Sequence, residues 1–198
     1  MHPDPRIARL EHVLQHRPVQ TVERDGPVRE AAVALLVRPR DELEVLLIKR
    51  SEHEADPWSG HMALPGGRRD PGDIDLLATA LREAYEEIGI QALAADRLGA
   101  LDEVTPRTPR LPPIVIAPFV LAVPADATAQ PDPAEVEAAF WVPLSALADE
   151  RATDELIIEL EGLRRSFPAY RYLDYVIWGL THRILQQFMD VAAEARLV

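Results

Sequence analysis

Apolar positions recur at two spacings along this chain, and the switches between them mark its elements. Within 5–15, Ile7, Leu10, Val13 and Leu14 fall at helical spacing, which predicts a short amphipathic helix. A polar link follows to about Arg29. Branched and leucine-rich runs then predict two strands, 31–37 and 43–49, joined by the turn-forming Arg38-Pro39-Arg40-Asp41. The stretch 51–60 reads as a loop, and 61–64 as a short strand running into Pro65-Gly66-Gly67. The clearest helix spans 74–88, with Asp73 or Asp75 available as N-cap and Gly89 as its stop.

Beyond that helix the pattern predicts a short strand at 98–101, a proline-rich loop at 105–113 and strands at 114–123 and 136–142. The segment 156–160 is ambiguous, with 170–172 as its candidate pairing partner, and a long helix is expected over 174–195. Strands and helices are mixed rather than strictly alternating. The expected class is α+β, a mixed α/β/α sandwich, with 1–29 as an N-terminal helix and linker and 30–198 as the main domain.

Composition narrows the chemistry. At 198 residues the chain can bury roughly 70% of its unfolded surface, so a core needs no disulfide or zinc staple. It has no cysteine, which excludes thiol catalysis and thiolate metal sites. A net charge of −12 argues against a binder of long nucleic acids, because such a chain gains nothing from counterion release. A small anion is still acceptable where cations neutralise the site locally. With no run of 18 apolar residues and no signal-peptide core, the expected protein is cytoplasmic and not membrane-bound. A homodimer is left open.

The sharpest chemical signal lies in 66–90. With Glu83 set at zero and about 100° per residue, Glu87 falls at about 40° and Glu86 at about 300°. Leu77, Leu81, Ala84 and Ile88 gather on roughly the opposite side. Three carboxylates therefore share one helix face, and Arg82 alone cannot neutralise them. A solvated acidic face is the ordinary reading of Glu-x-x-Glu-Glu. The glycine turn and the Asp-rich entry at fixed spacing argue instead for a hard divalent cation, since Mg²⁺ takes carboxylate and carbonyl oxygens.

The same residues resemble the Nudix signature. Arg82, Glu83, Glu86, Glu87, Gly89 and Ile90 match its second half, Gly67 matches its opening glycine, and Asp73 stands where a Glu is expected. The gap from Asp73 to Arg82 is one residue longer than the general signature, and Ala84 is smaller than the usual aliphatic residue. Both departures resemble the coenzyme A pyrophosphatase branch. So do Leu46–Ser51 with Gly60 and Leu64–Gly67, and Ile177-Trp178-Gly179 with Thr181. The loop 52–59 lacks the arginine that this branch normally carries there. Trp141-Val142-Pro143-Leu144 resembles the strand-to-helix ending found across the family.

The resemblance implies a Nudix fold with a mixed central sheet and a Mg²⁺- or Mn²⁺-dependent hydrolase of a diphosphate bond. The implied substrate is a small nucleotide derivative, coenzyme A or acyl-coenzyme A first. ADP-ribose, nucleotide sugars or nucleoside triphosphates are the alternatives, and a binding module without turnover is the reading from another class. It makes Glu83 and Glu87 the main metal ligands, with Glu86 and the Gly66 carbonyl beside them, and has Arg82 orient Glu83. The general base is Glu83 or an acid outside the box, Glu135 or Glu137. Arg50, Arg107 and Arg110 are candidate substrate contacts, each weighed against plain solvation. Trp58 is expected to pack on its own domain, and His53, His61 and His182 to be structural.

Overall fold

The computed structural model describes residues 2–24, 26–52, 58–107, 113–160 and 163–198. Arg110 and His53 fall outside the described residues. The chain begins with α1, Pro5–His16, whose N-cap Asp4 accepts from the amides of Arg6 and Ile7. Two long strands follow, β1 (Arg29–Pro39) and β2 (Leu43–Arg50), then the short β3 (Met62–Ala63) and β4 (Gly66–Arg68). Next come α2 (Leu76–Ile88), β5 (Arg97–Ala100), β6 (Ile114–Ala122), β7 (Val136–Pro143) and the short α3 (Leu144–Ala148). The chain closes with β8 (Thr153–Leu160), β9 (Leu163–Tyr172), β10 (Tyr175–Trp178) and α4 (Gly179–Glu194).

Seven strands form one mixed sheet in the order β3-β2-β1-β6-β5, with β4 on β1 and β7 on β2. β1 is its hub. One edge pairs in parallel with β6, from Arg29↔Ile114 to Val37↔Ala122. The other edge is shared by two antiparallel partners, β4 at Ala31–Val33 and β2 at Val37–Pro39. Alternation along β1 sends successive side chains to opposite faces. Leu35 and Val37 join one core with Ile7, Leu10, Leu185 and Phe188, under α1 and α4. Ala34 and Leu36 join the other with Ala80, Ala84 and Ile88, under α2. The result is a sheet with helices on both faces, the α/β/α sandwich expected from the sequence.

A second, three-stranded antiparallel sheet runs β10-β9-β8. It corrects two expectations. The ambiguous segment 156–160 is strand, in a long hairpin that pairs it with 163–167 rather than with 170–172, and residues 175–178 are a strand rather than the first turn of the last helix. Tyr-Val-Ile-Trp favours a strand, and Gly179, at φ 67, turns the backbone into α4. At the β9–β10 turn, Leu173 sits at φ 53 with 67% of its surface exposed. A left-handed conformation costs a non-glycine residue about 1 kcal/mol. Leu173→Gly is therefore expected to stabilise by about 0.5 kcal/mol after the entropy glycine adds to the unfolded chain. A rise in the urea midpoint at unchanged m value would show it; a fall would mean that the leucine packs.

Among the described residues, no helix is long and apolar enough to cross a membrane.

Candidate active site

Helix α2 carries the site, and its entry is built to hold one arginine. Asp75 is the N-cap, accepting from the Ala78 amide at 2.7 Å. Asp73, the other cap candidate, turns inward instead. Its carboxylate accepts from the Asp70 amide, from the Thr79 hydroxyl at 2.8 Å and from Arg82 Nε and Nη2 at 3.1 and 3.0 Å. The Arg82 guanidinium holds the Asp73 carboxyl well below the usual carboxylate range, against the opposing effect of burial. Arg82 spends its remaining donors on Glu83 Oε1 at 2.9 Å, Glu86 Oε2 at 2.8 Å and the Arg68 carbonyl. A fork clamped at one end by Asp73 thus fixes where Glu83 lies.

The three helix carboxylates do not share one environment. Glu86 has a half-exposed side chain, and Glu83 is mostly covered. Glu87 is 1% exposed, which corrects the expectation of a common polar face. The cause is tertiary. At about 40° Glu87 borders Ala80 and Ala84, and the core over those alanines extends across it. Leu77 and Leu81, expected at the centre of the apolar stripe, are only partly buried at its margin. Glu87 Oε2 accepts from the Gly66 amide at 2.8 Å, and its other oxygen lies 3.7 Å from Arg50 Nη1. Burial pushes the Glu87 carboxyl up to about 8, a rise that the Gly66 amide and the Arg50 charge oppose. Burial raises Glu83 as well, opposed by Arg82.

Two glycines make this approach sterically feasible. A Cβ on Gly66 would collide with the Ala32 carbonyl oxygen and Val33, and a Cβ on Gly67 would collide with the Glu83 carboxylate. Any side chain at Gly67 would displace Glu83 from its place against β4.

A fourth carboxylate arrives from the residue that leads into β7. The β2–β7 pairing runs regularly from Glu44↔Pro143 to Lys49↔Ala138, then jumps to Arg50↔Val136. Glu137 is the extra residue of this bulge. Bulges re-aim the side chains beside them. Val142 and Phe140 pack on the α1/α4 face, yet Val136, of the same parity, packs on the α2 face. Beyond the bulge, the Ser51 amide donates to the Glu135 carbonyl at 2.9 Å. Glu137 pairs with Lys49 at 2.7 Å. Glu135 instead joins Glu83 and Glu87, the three offering carboxylate oxygens within 4.8 Å of one another. Glu86, tied to Arg82, is not part of that trio.

This donor set fits a hard divalent cation. Three like charges converging on one point, one of them almost wholly buried, are unfavourable without a counterion, and all offer the oxygen ligands that Mg²⁺ and Mn²⁺ take. The Gly66 amide is what engages Glu87 in the structure. Of the sequence candidates for substrate contact, Arg50 lies beside this cluster. Arg107 is exposed on the loop that follows Val104. His61 packs its ring on Trp178 at 5.0 Å, and His182 is buried against Tyr170.

A model of the NUDIX domain matches residues 27–160. The chain belongs to the Nudix hydrolase family. Members of this family are generally pyrophosphohydrolases that use divalent metals, and the Glu83–Glu87–Glu135 cluster is consistent with that habit. The chain is 34% identical over 158 residues to the Nudix hydrolase NudL of Yersinia pestis, covering 80% of this Nudix chain and 77% of that one. It is 33% identical over 168 residues to a protein of Schizosaccharomyces pombe, covering 74% of this chain but only 51% of the other, so it spans about half of that relative.

Among solved structures, a MutT/nudix protein from Enterococcus faecalis superposes with a TM-score of 0.62 at 16% identity, over 94% of this chain and 74% of that one. The NUDIX domain of Shewanella oneidensis NrtR, solved with ADP-ribose, superposes with a TM-score of 0.56 at 23% identity, over 88% and 91%. At these identities the likeness establishes the Nudix fold.

Proposed function

We propose that this Nudix protein hydrolyses the diphosphate bond of coenzyme A or an acyl-coenzyme A, giving a 4′-phosphopantetheine product and adenosine 3′,5′-bisphosphate. The observation that carries the hydrolase reading is the convergence of Glu83, Glu87 and Glu135 from two separate elements. These three would hold Mg²⁺ or Mn²⁺, with the Gly66 carbonyl as a further ligand and Glu86 at the margin. A bound divalent cation there would acidify water and shield phosphate oxygens.

The chain's own residues supply the rest. Arg82, anchored on Asp73, fixes the rotamer of Glu83 and offsets the repulsion among the acids. Proton transfer from the attacking water goes to a carboxylate oxygen of Glu135. Glu135 is exposed, so substrate water can reach it, whereas Glu83 is mostly covered and its Oε1 is already engaged by Arg82. Glu137 is occupied by Lys49. Arg50, at the rim of the cluster, would meet a phosphate, and Arg107 and Arg110 are the further candidate substrate contacts.

The substrate class is supported by the lengthened, Asp-containing Nudix box, the 46–67 segment and the Ile177–Gly179 ending. It is tested by comparing kcat/KM for coenzyme A, dephospho-coenzyme A, ADP-ribose and a nucleoside triphosphate under one metal condition. Coenzyme A is expected to lead by about tenfold, the worth of one charge-assisted contact. A tenfold lead for ADP-ribose or the triphosphate would overturn the substrate and leave the hydrolase.

A further inference from the structure

Most arginines of this acidic protein that are part-buried have a carboxylate in hand. Arg6 holds Asp4, Arg17 holds Asp102, Arg38 holds Glu44, Arg50 faces Glu87 and Arg82 holds Asp73. Arg183, in the second turn of α4, breaks this pattern. Among the described residues its one hydrogen bond is from Nη1 to the Thr105 carbonyl at 2.7 Å, and it has no carboxylate partner. Its neighbour in charge is another cation, Arg107, two residues beyond Thr105. Burial, and then the Arg107 charge, push the Arg183 guanidinium below the usual arginine range.

Local acids cannot relieve this. Asp102 and Glu103, the carboxylates nearest Thr105 in the chain, are engaged by Arg17 and Arg24 respectively. The first turn of α4 contains no acidic residue, and positions 179, 180, 186 and 187 around Arg183 are Gly, Leu, Gln and Gln. In a chain with a net charge of −12, two cations on adjoining segments, Arg183 bonded to the Thr105 carbonyl and Arg107 two residues beyond it, are therefore left without a carboxylate among the described residues. The arrangement is unfavourable in isolation and becomes favourable when an anion bridges the pair.

The position is informative too. Val104 pairs with Ile116, Ile116 with Ala31 and Ala31 with Arg68. Three strand spacings of roughly 4.8 Å put the segment that holds Arg183 about 14 Å across the sheet from β4 and its glycine turn. From the other side, Trp178, which precedes α4, packs on His61, and the His61 carbonyl accepts from the Arg50 amide. The pair and the carboxylate cluster thus lie on elements connected through the sheet and through the Trp178–His61 contact.

We infer that Arg107 and Arg183 form an anion subsite that takes a phosphate monoester at the far end of the substrate from its diphosphate. The inference rests on the proposed hydrolase reading for what the ligand is, but its test does not need turnover. The probes are adenosine 3′,5′-bisphosphate and adenosine 5′-monophosphate, titrated calorimetrically into the full chain without divalent metal. The bisphosphate should bind about tenfold more tightly than the monophosphate, the effect of one doubly contacted phosphate.

Arg183→Gln should abolish that preference and Arg183→Lys restore part of it. Arg107→Gln should also reduce it, and because Arg107 is exposed with no hydrogen bond of its own among the described residues, folding is not at issue for that variant. Equal binding of the two probes to the wild-type chain would overturn the subsite, as would a preference that survives both glutamine variants. If the preference is present and arginine-dependent while no diphosphate is cleaved, the subsite stands and the hydrolase reading falls.

Discussion

Glu83→Gln is expected to lower kcat by about 100-fold or more while leaving the fold intact. Glutamine keeps the shape and an oxygen to accept from Arg82 Nη1, so the contacts at 2.9 Å survive in kind. The charge and one anionic ligand do not. Gly67, with no Cβ, still admits the side chain against β4. The check is steady-state kinetics beside thermal unfolding. A near-normal kcat with an unchanged metal requirement would remove Glu83 from the chemistry and leave Glu135 and Glu87 to explain it.

The other large effect is on metal dependence. Chelation should abolish hydrolysis, and Mg²⁺ or Mn²⁺ should restore it, because three converging carboxylates repel a diphosphate as strongly as they attract a cation. Ca²⁺, with its longer and looser coordination, should restore little. A readout independent of activity is available. A ligand that binds only the folded state stabilises it by about 2.7 kcal/mol at a hundred times its Kd, so Mn²⁺ should raise the unfolding midpoint of the wild-type chain. That gain should shrink in Glu87→Gln. Full activity in excess chelator would defeat the mechanism, whatever the midpoint does.

The longer strands of the main sheet were legible because burial on both faces imposes a pattern on the residues themselves, whereas β4, read only as a glycine turn, was not. β1 and β6 read as continuous apolar runs, and α2 announced its ends through Asp75 and Gly89. What the pattern could not carry was the register between distant segments. Glu135 and Glu137 differ by two positions, so in a regular strand they would share a face, and spacing offers no reason to prefer either. The bulge at Glu137, visible only in the pairing with β2, separates their roles.

Glu87 shows the same limit on a helix. Its angular position was right, but whether the border of an apolar stripe is wet or dry depends on what packs beside it. Here β4 presses in, through glycines whose need was hidden until Ala32 and Glu83 were seen to crowd them. Residues 175–178 illustrate a third cause, since a short apolar run next to a helix fits either period.

The parallel pairing of β1 with β6 also bears on how the molecule assembles in time. These strands come from opposite sides of the Nudix box, so the loop closed by their first contact contains α2 and both glycines. The β8–β9 hairpin closes only a tight turn and can form on a microsecond scale. Joining β1 to β6 must first overcome the entropy of ordering a much longer segment. β4 is seated against β1 and Glu87 against β4, but Glu135 joins them only from the far side of β6, at the entry to β7. During synthesis, a chain that has emerged only as far as α2 already contains the signature residues but lacks the strand that completes their platform. Competence to capture a cation should therefore appear late, as one of the last events of folding.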